Sequence, residues 1–149
     1  MANRDLKSAL QVVDLGTLAL SGTTPGATAL VDTRGFDSCM FLVLTNTVTD
    51  AGTAAGFAVE IQESDATAAA GFTAVADAEL SDAESTLTVV DDAADNIVVG
   101  AINYLGNARY ARAVFTGTTG TAAGVRVLAV LGHASRQPAT FVGTSVAAT

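Results

Sequence analysis

Residues 57–63 read Phe57-Ala58-Val59-Glu60-Ile61-Gln62-Glu63, and their period of two decides the fold class. Phe57, Val59 and Ile61 fall on one face of an extended chain, and Ala58, Glu60 and Gln62 on the other, which is the pattern of a half-buried strand. Upstream, Cys39-Met40-Phe41-Leu42-Val43-Leu44 has no polar face at all. Such a run predicts a central strand covered on both sides. Working outward, Thr86 to Val90, Asn96 to Ile102, Arg109 to Phe115 and Ala123 to Leu131 are further strand candidates, with Val12 to Leu20 and Ala27 to Asp32 supplying a first pair. Turn chemistry separates these runs at short intervals, as in Ser21-Gly22-Thr23-Thr24-Pro25-Gly26, Arg34-Gly35, Asp50-Ala51-Gly52, Asp91-Asp92 and Thr116-Gly117-Thr118-Thr119-Gly120. The expectation is all-β: a single-domain antiparallel β-sandwich or jelly roll of about eight strands, with extended terminal arms. Residues 1–10 form the N-terminal arm, 11–137 the sandwich and 138–149 a C-terminal arm that orders against a neighbour. Helix is confined to short Ala-rich stretches, Asp65 to Ala70 and Ala76 to Glu84.

Composition agrees and narrows the function. A chain of 149 residues forms one domain with an independent core. Its apolar mass is small or β-branched, with 30 Ala, 20 Thr, 17 Val and 14 Gly against no Trp, so strands outcompete helices. Seven Lys and Arg against 15 Asp and Glu give a net charge of −8. A single lysine, Lys7, and so acidic a balance argue against nucleic acid and against an anionic membrane as partners. No signal peptide and no membrane span are read in the sequence. The charge is also divided along the chain. Residues 35–108 carry 12 acids and no cation, while the two ends together hold 7 cations and 3 acids. That asymmetry predicts one surface facing water and another facing a partner.

Catalytic and metal chemistry find few residues to work with. Cys39, the lone cysteine, forms no intramolecular disulfide and reads as a small buried hydrophobe. His133, the lone histidine, is either a catalytic base or a strand-end or interface imidazole, and the second is favoured. One His and one Cys cannot assemble a transition-metal cluster. Asp91, Asp92 and Asp95 offer hard oxygen ligands suited to calcium, but their spacing is that of a solvated acidic loop and not of an EF-hand. Alternation puts Glu60 and Glu63 on opposite faces, so they cannot flank one glycosidic bond. No cofactor fingerprint is present.

The densest polar-aromatic cluster is Tyr104-Leu105-Gly106-Asn107-Ala108-Arg109-Tyr110-Ala111-Arg112. Alternation puts Tyr110, Arg112 and Val114 on one face and Arg109, Ala111, Ala113 and Phe115 on the other. Two readings are open. The segment is a turn plus a structural strand whose arginines pair with carboxylates, or it is a contact strand for a protein, since Tyr and Arg are enriched at interface hot spots.

An ordered set of short signatures runs through the chain: Arg4-Asp5-Leu6-Lys7, Gly35-Phe36-Asp37-Ser38, Gln62-Glu63-Ser64-Asp65, Phe72-Thr73-Ala74-Val75, the Tyr104 to Arg112 segment, and Leu131-Gly132-His133 with Pro138. In this order they resemble small head-associated structural proteins of tailed bacteriophages and prophages, over about residues 4 to 138. The resemblance implies a non-enzymatic virion protein on the capsid surface: a decoration (cement) protein that binds the major capsid protein and stabilises capsomer junctions, with self-association as a homotrimer. On that reading Arg4, Lys7, Tyr104, Arg109, Tyr110, Arg112 and Arg136 are the candidate protein contacts, and the acidic loops face solvent. The alternatives are a ligand- or carbohydrate-binding sandwich with Tyr104 and Tyr110 as its platform, and a tail or head-tail component.

Overall fold

A computed structural model describes residues 5–51, 56–136 and 139–149. Two antiparallel-rich sheets face one another, and the all-β sandwich expected from the sequence is what the chain forms. The first sheet contains β1 (Leu10–Ser21), β4 (Phe36–Asp50), β7 (Val98–Tyr104), β9 (Ala122–Ala134) and the two-residue β10 (Val142–Gly143), in the order β10-β1-β9-β4-β7. The second contains β2 (Gly26–Ala27), β3 (Val31–Asp32), β5 (Ala58–Ser64), β6 (Thr73–Ala74) and β8 (Tyr110–Thr116), with β8 at its centre between β5 and the short β2 and β3.

Alternation fills the core from both inner faces. From the first sheet come Val13, Leu15, Phe41, Val43, Ile102, Val125, Val127, Ala129 and Leu131, and from the second Val59, Ile61, Ala111, Ala113 and Phe115. Alanines on β8 and β9 share the core with Phe41, Phe57 and Phe115, so small residues make room for the few large rings. Gly16 sits at a bulge in β1 with φ +100, a left-handed conformation that glycine adopts freely, and the Asp14 carboxylate accepts its amide at 3.0 Å. The bulge returns Leu20 to the buried side after Leu15.

Three expectations are corrected. Thr86 to Val90 is not a strand: Glu84–Leu87 is a 3-10 turn, and only Val89 bridges Phe57. The Thr86 hydroxyl and amide both bond the Ala83 carbonyl, a local alternative that competes with a ladder. The segment Ala27 to Asp32 does not pair with β1 as a hairpin. The Ser21 to Pro25 turn carries the chain across to the second sheet, where β2 and β3 pair with β8. The C-terminal segment, finally, is extended but docked on its own domain. Val142 and Gly143 run parallel to Val12 and Val13, Val146 exchanges backbone bonds with Leu30 at 2.8 and 2.9 Å, and Thr149 exchanges two with Thr67 and Ala69 at 2.9 Å each. It needs no neighbour to find partners, because the open edge of β1 and the loops beside it supply them.

Candidate interaction site

The two halves of one cleft come from segments far apart in sequence. Antiparallel pairing of β4 with β9 and of β1 with β9 brings the starts of β1 and β4 beside the end of β9. Residues 33–39 there face Tyr104 to Asn107 and Arg109 across a cleft of about 460 Å³. Gly106 is needed at its wall, because a Cβ there would lie 2.5–2.6 Å from the Tyr104 ring. The Tyr104 phenol donates to Glu63 and accepts the Ala108 amide at 3.0 Å. Burial, followed by that bond to Glu63, pushes its pKa well up.

Arg109 closes one side with a forked pair. Its Nε and Nη2 reach the Asp32 carboxylate at 3.2 and 2.9 Å, and its guanidinium lies 4.7 Å from the centre of the Tyr110 ring. Partial burial works to raise the Asp32 pKa, but the Arg109 bonds, the Arg34 amide and both guanidinium charges outweigh it and hold the carboxyl below its ordinary 3.8. Arg112 points to the opposite side of β8. Its Nε and Nη2 bond the Gln62 side chain at 2.9 and 2.7 Å, and it stacks 4.3 Å from the Phe72 ring. Burial lowers its pKa.

The seven candidate contacts therefore do not form one patch. Tyr104 and Tyr110 are buried, at 4% and 7% exposure, and present no aromatic platform to a sugar. Arg109 and Arg112 are engaged inside the domain. Lys7 and Arg136 are exposed, and Arg4 lies outside the described residues. Topology places Lys7 before β1, Arg34 before β4 and Arg136 after β9, all at one end of the sandwich together with Arg109. At the other end, Asp91, Asp92 and Asp95 lie beside the end of β4. Each carboxylate accepts a backbone amide, of Ala93, Ala51 and Val48 respectively, so the acidic loop has a structural task. Among the described residues no cluster of three or more His, Cys, Asp or Glu is arranged to hold a metal.

His133 has φ +53 and its Nδ1 lies 3.0 Å from the Ser38 Oγ at the rim of the cleft. This pairs it with a hydroxyl that sequence spacing, 95 residues, does not suggest. Cys39 is buried, which pushes its thiol up to about 12 and keeps it protonated.

The outer face of the first sheet is a site that residue types alone conceal, although its signal is the run Cys39 to Leu44. In β4, Cys39, Phe41 and Val43 are buried while Met40, Leu42 and Leu44 point the other way and are half-exposed. The strand is central, as expected, but among the described residues its second face is uncovered. Register sets Val130 and Val12 in line with Met40, and Leu128 in line with Leu42. The matching face of the second sheet presents Ala58, Glu60, Gln62, Arg112 and Val114, an ordinary solvated mixture.

Comparison with models of protein families finds no match, and a search of curated proteins finds none either.

Proposed function

We propose that this chain is a non-enzymatic structural protein of a tailed-phage particle: a capsid decoration protein that sits on the outer surface of the head and contacts the major capsid protein. The observation that carries the reading is the polarity of the sandwich. Lys7, Arg34, Arg109 and Arg136 offset Asp5, Asp32, Asp37 and Asp65 at one end, while four carboxylates, Asp50, Asp91, Asp92 and Asp95, hold the other. In a chain of net charge −8, the end whose acids are offset by cations meets a partner with the least repulsion, and the acidic end points to solvent. Binding to the assembled lattice and not to separate subunits stabilises the lattice by mass action, and repeated sites multiply the effect.

The test is addition of purified protein to undecorated heads, with bound copies per head and the temperature of DNA release as readouts. Wild type saturates the head and raises the release temperature. Lys7→Glu with Arg136→Glu, on exposed positions, lowers occupancy about tenfold or more, as roughly 1.4 kcal/mol of lost attraction would. Unchanged occupancy of the double variant removes the charge-offset end from the contact, and no binding by wild type defeats the reading.

A further inference from the structure

We propose that the outer face of β1, β9, β4 and β7 is a contact between two copies of this chain, packed sheet on sheet about a twofold axis. One row of this face runs Val142, Val12, Val130, Met40 and Asn103, the next Asp14, Leu128, Leu42 and Ala101, and the next Thr17, Arg126, Leu44 and Val98. Val142 and Val98 are among the most exposed large hydrophobics of the chain, at 73% and 59%. The apolar residues form a continuous field across all five strands, where a solvated sheet face alternates to polar.

Area and charge choose the occupant. Strands about 4.8 Å apart and residues about 3.4 Å apart give the four long strands, over the roughly seven rows of β7, a face of about 19 by 24 Å, and the two-residue β10 brings it to about 490 Å² in plan. Two such faces together bury about 1,000 Å², which is about the least that a specific protein contact needs. Sheets stack well in this way, about 10 Å apart with aligned strands. The charges on the face are Asp14 and Arg126, paired at 2.6 Å, so its net charge is zero while the chain carries −8. Two copies repel each other over the acidic surface and approach without that penalty here. A basic or acidic partner finds no complement on this face, whereas a second copy offers the same neutral, apolar surface. A twofold contact is self-complementary and builds a pair, where the resemblance to capsid decoration proteins implies a trimer.

The experiment is sedimentation equilibrium of the full chain from about 1 to 100 µM, beside the head-binding assay. Wild type is expected to rise from near the monomer mass at the bottom of the range to near twice that mass at the top, and Leu42→Glu with Leu128→Glu to stay at the monomer mass throughout with an unchanged far-UV spectrum. Should that variant misfold, a second readout uses the unaltered chain: Met40 is oxidised by peroxide about fivefold more slowly at the top of that concentration range than at the bottom, because pairing covers it. A wild type that stays monomeric, a three-copy mass, or equal Met40 oxidation at both concentrations overturns the pairing. Monomers that still decorate heads defeat the pairing and leave the capsid reading standing. Pairs that ignore heads support the pairing and defeat the capsid reading.

Discussion

Replacing Asp32 with asparagine removes one charge from the forked pair that ties β3 to the start of β8, and its cost can be worked out with its pH dependence. The Asp32 and Arg109 side chains are 25% and 38% exposed, so the pair is partly sheltered. Exposed pairs contribute about 0.2–1 kcal/mol and hydrogen bonds to charged groups about 1.5–3, which places a forked pair of this exposure near about 1 kcal/mol. The carboxamide oxygen of the Asp32→Asn variant would still accept the Arg34 amide, so that bond drops out of the difference. A double-mutant cycle with Arg109→Gln cancels the loss of the Tyr110 stacking, which both legs share. The folded-state pKa of Asp32 is depressed below 3.8. Its contribution is therefore present in full above 3.8 and is lost as pH falls through the lower, folded value. Urea unfolding of the four proteins at about pH 7 should give a coupling of about 1 kcal/mol, and at the lowest pH where the fold persists a coupling near zero. Arg109 stays charged throughout, so the change belongs to Asp32. A coupling below about 0.3 kcal/mol at neutral pH, or one that does not fall in acid, refutes the assignment.

Gly106→Ala should lower stability by about 1–3 kcal/mol in the same unfolding assay, because the Tyr104 ring that its Cβ would meet is held by Glu63 and Ala108. The Cys39 thiol, buried and pushed up to about 12, should resist iodoacetamide at about pH 8 in the folded chain and react promptly in urea. The amides of Leu30 and Val146 exchange bonds across the C-terminal segment, so hydrogen exchange should show both protected in the free protein. Rapid exchange at Val146 would mean that the segment waits for a neighbour after all.

The parts of the fold that were legible are those where a single local rule applies. Phe57 to Glu63 and Ala111 to Phe115 each lie in the second sheet with one face to water, so alternation alone sorts their side chains, whereas Tyr110, placed on the outer face by alternation, is buried under the Arg109 guanidinium. The docking of Val146 on Leu30 was hidden because an uncharged tail carries no periodicity, and what orders it is the open edge of β1 beside it. The same holds for the site. Asp32 and Arg109 are 77 residues apart and meet only through the register of β3 with β8. Lys7, Arg34 and Arg136 look like scattered charges until β1, β4 and β9 are laid antiparallel. Residue types suggested candidate contacts, and topology decided which of them share one end of the sandwich.

Charge and apolarity divide the surface between them. A strand with Leu and Met on its outer face invites association from any direction, and an isolated domain would normally carry Lys or Glu there. On the proposed pairing, the net charge of −8 on the surrounding surface disfavours contacts between copies everywhere except at the neutral face. The acidic middle of the chain would then act as a directional filter that removes wrong contacts without creating the right one. On the proposed arrangement the absence of acid and base from Met40, Leu42, Leu44, Leu128 and Val130 and the crowding of acids elsewhere are one selection, because either without the other gives a chain that aggregates or one that never pairs.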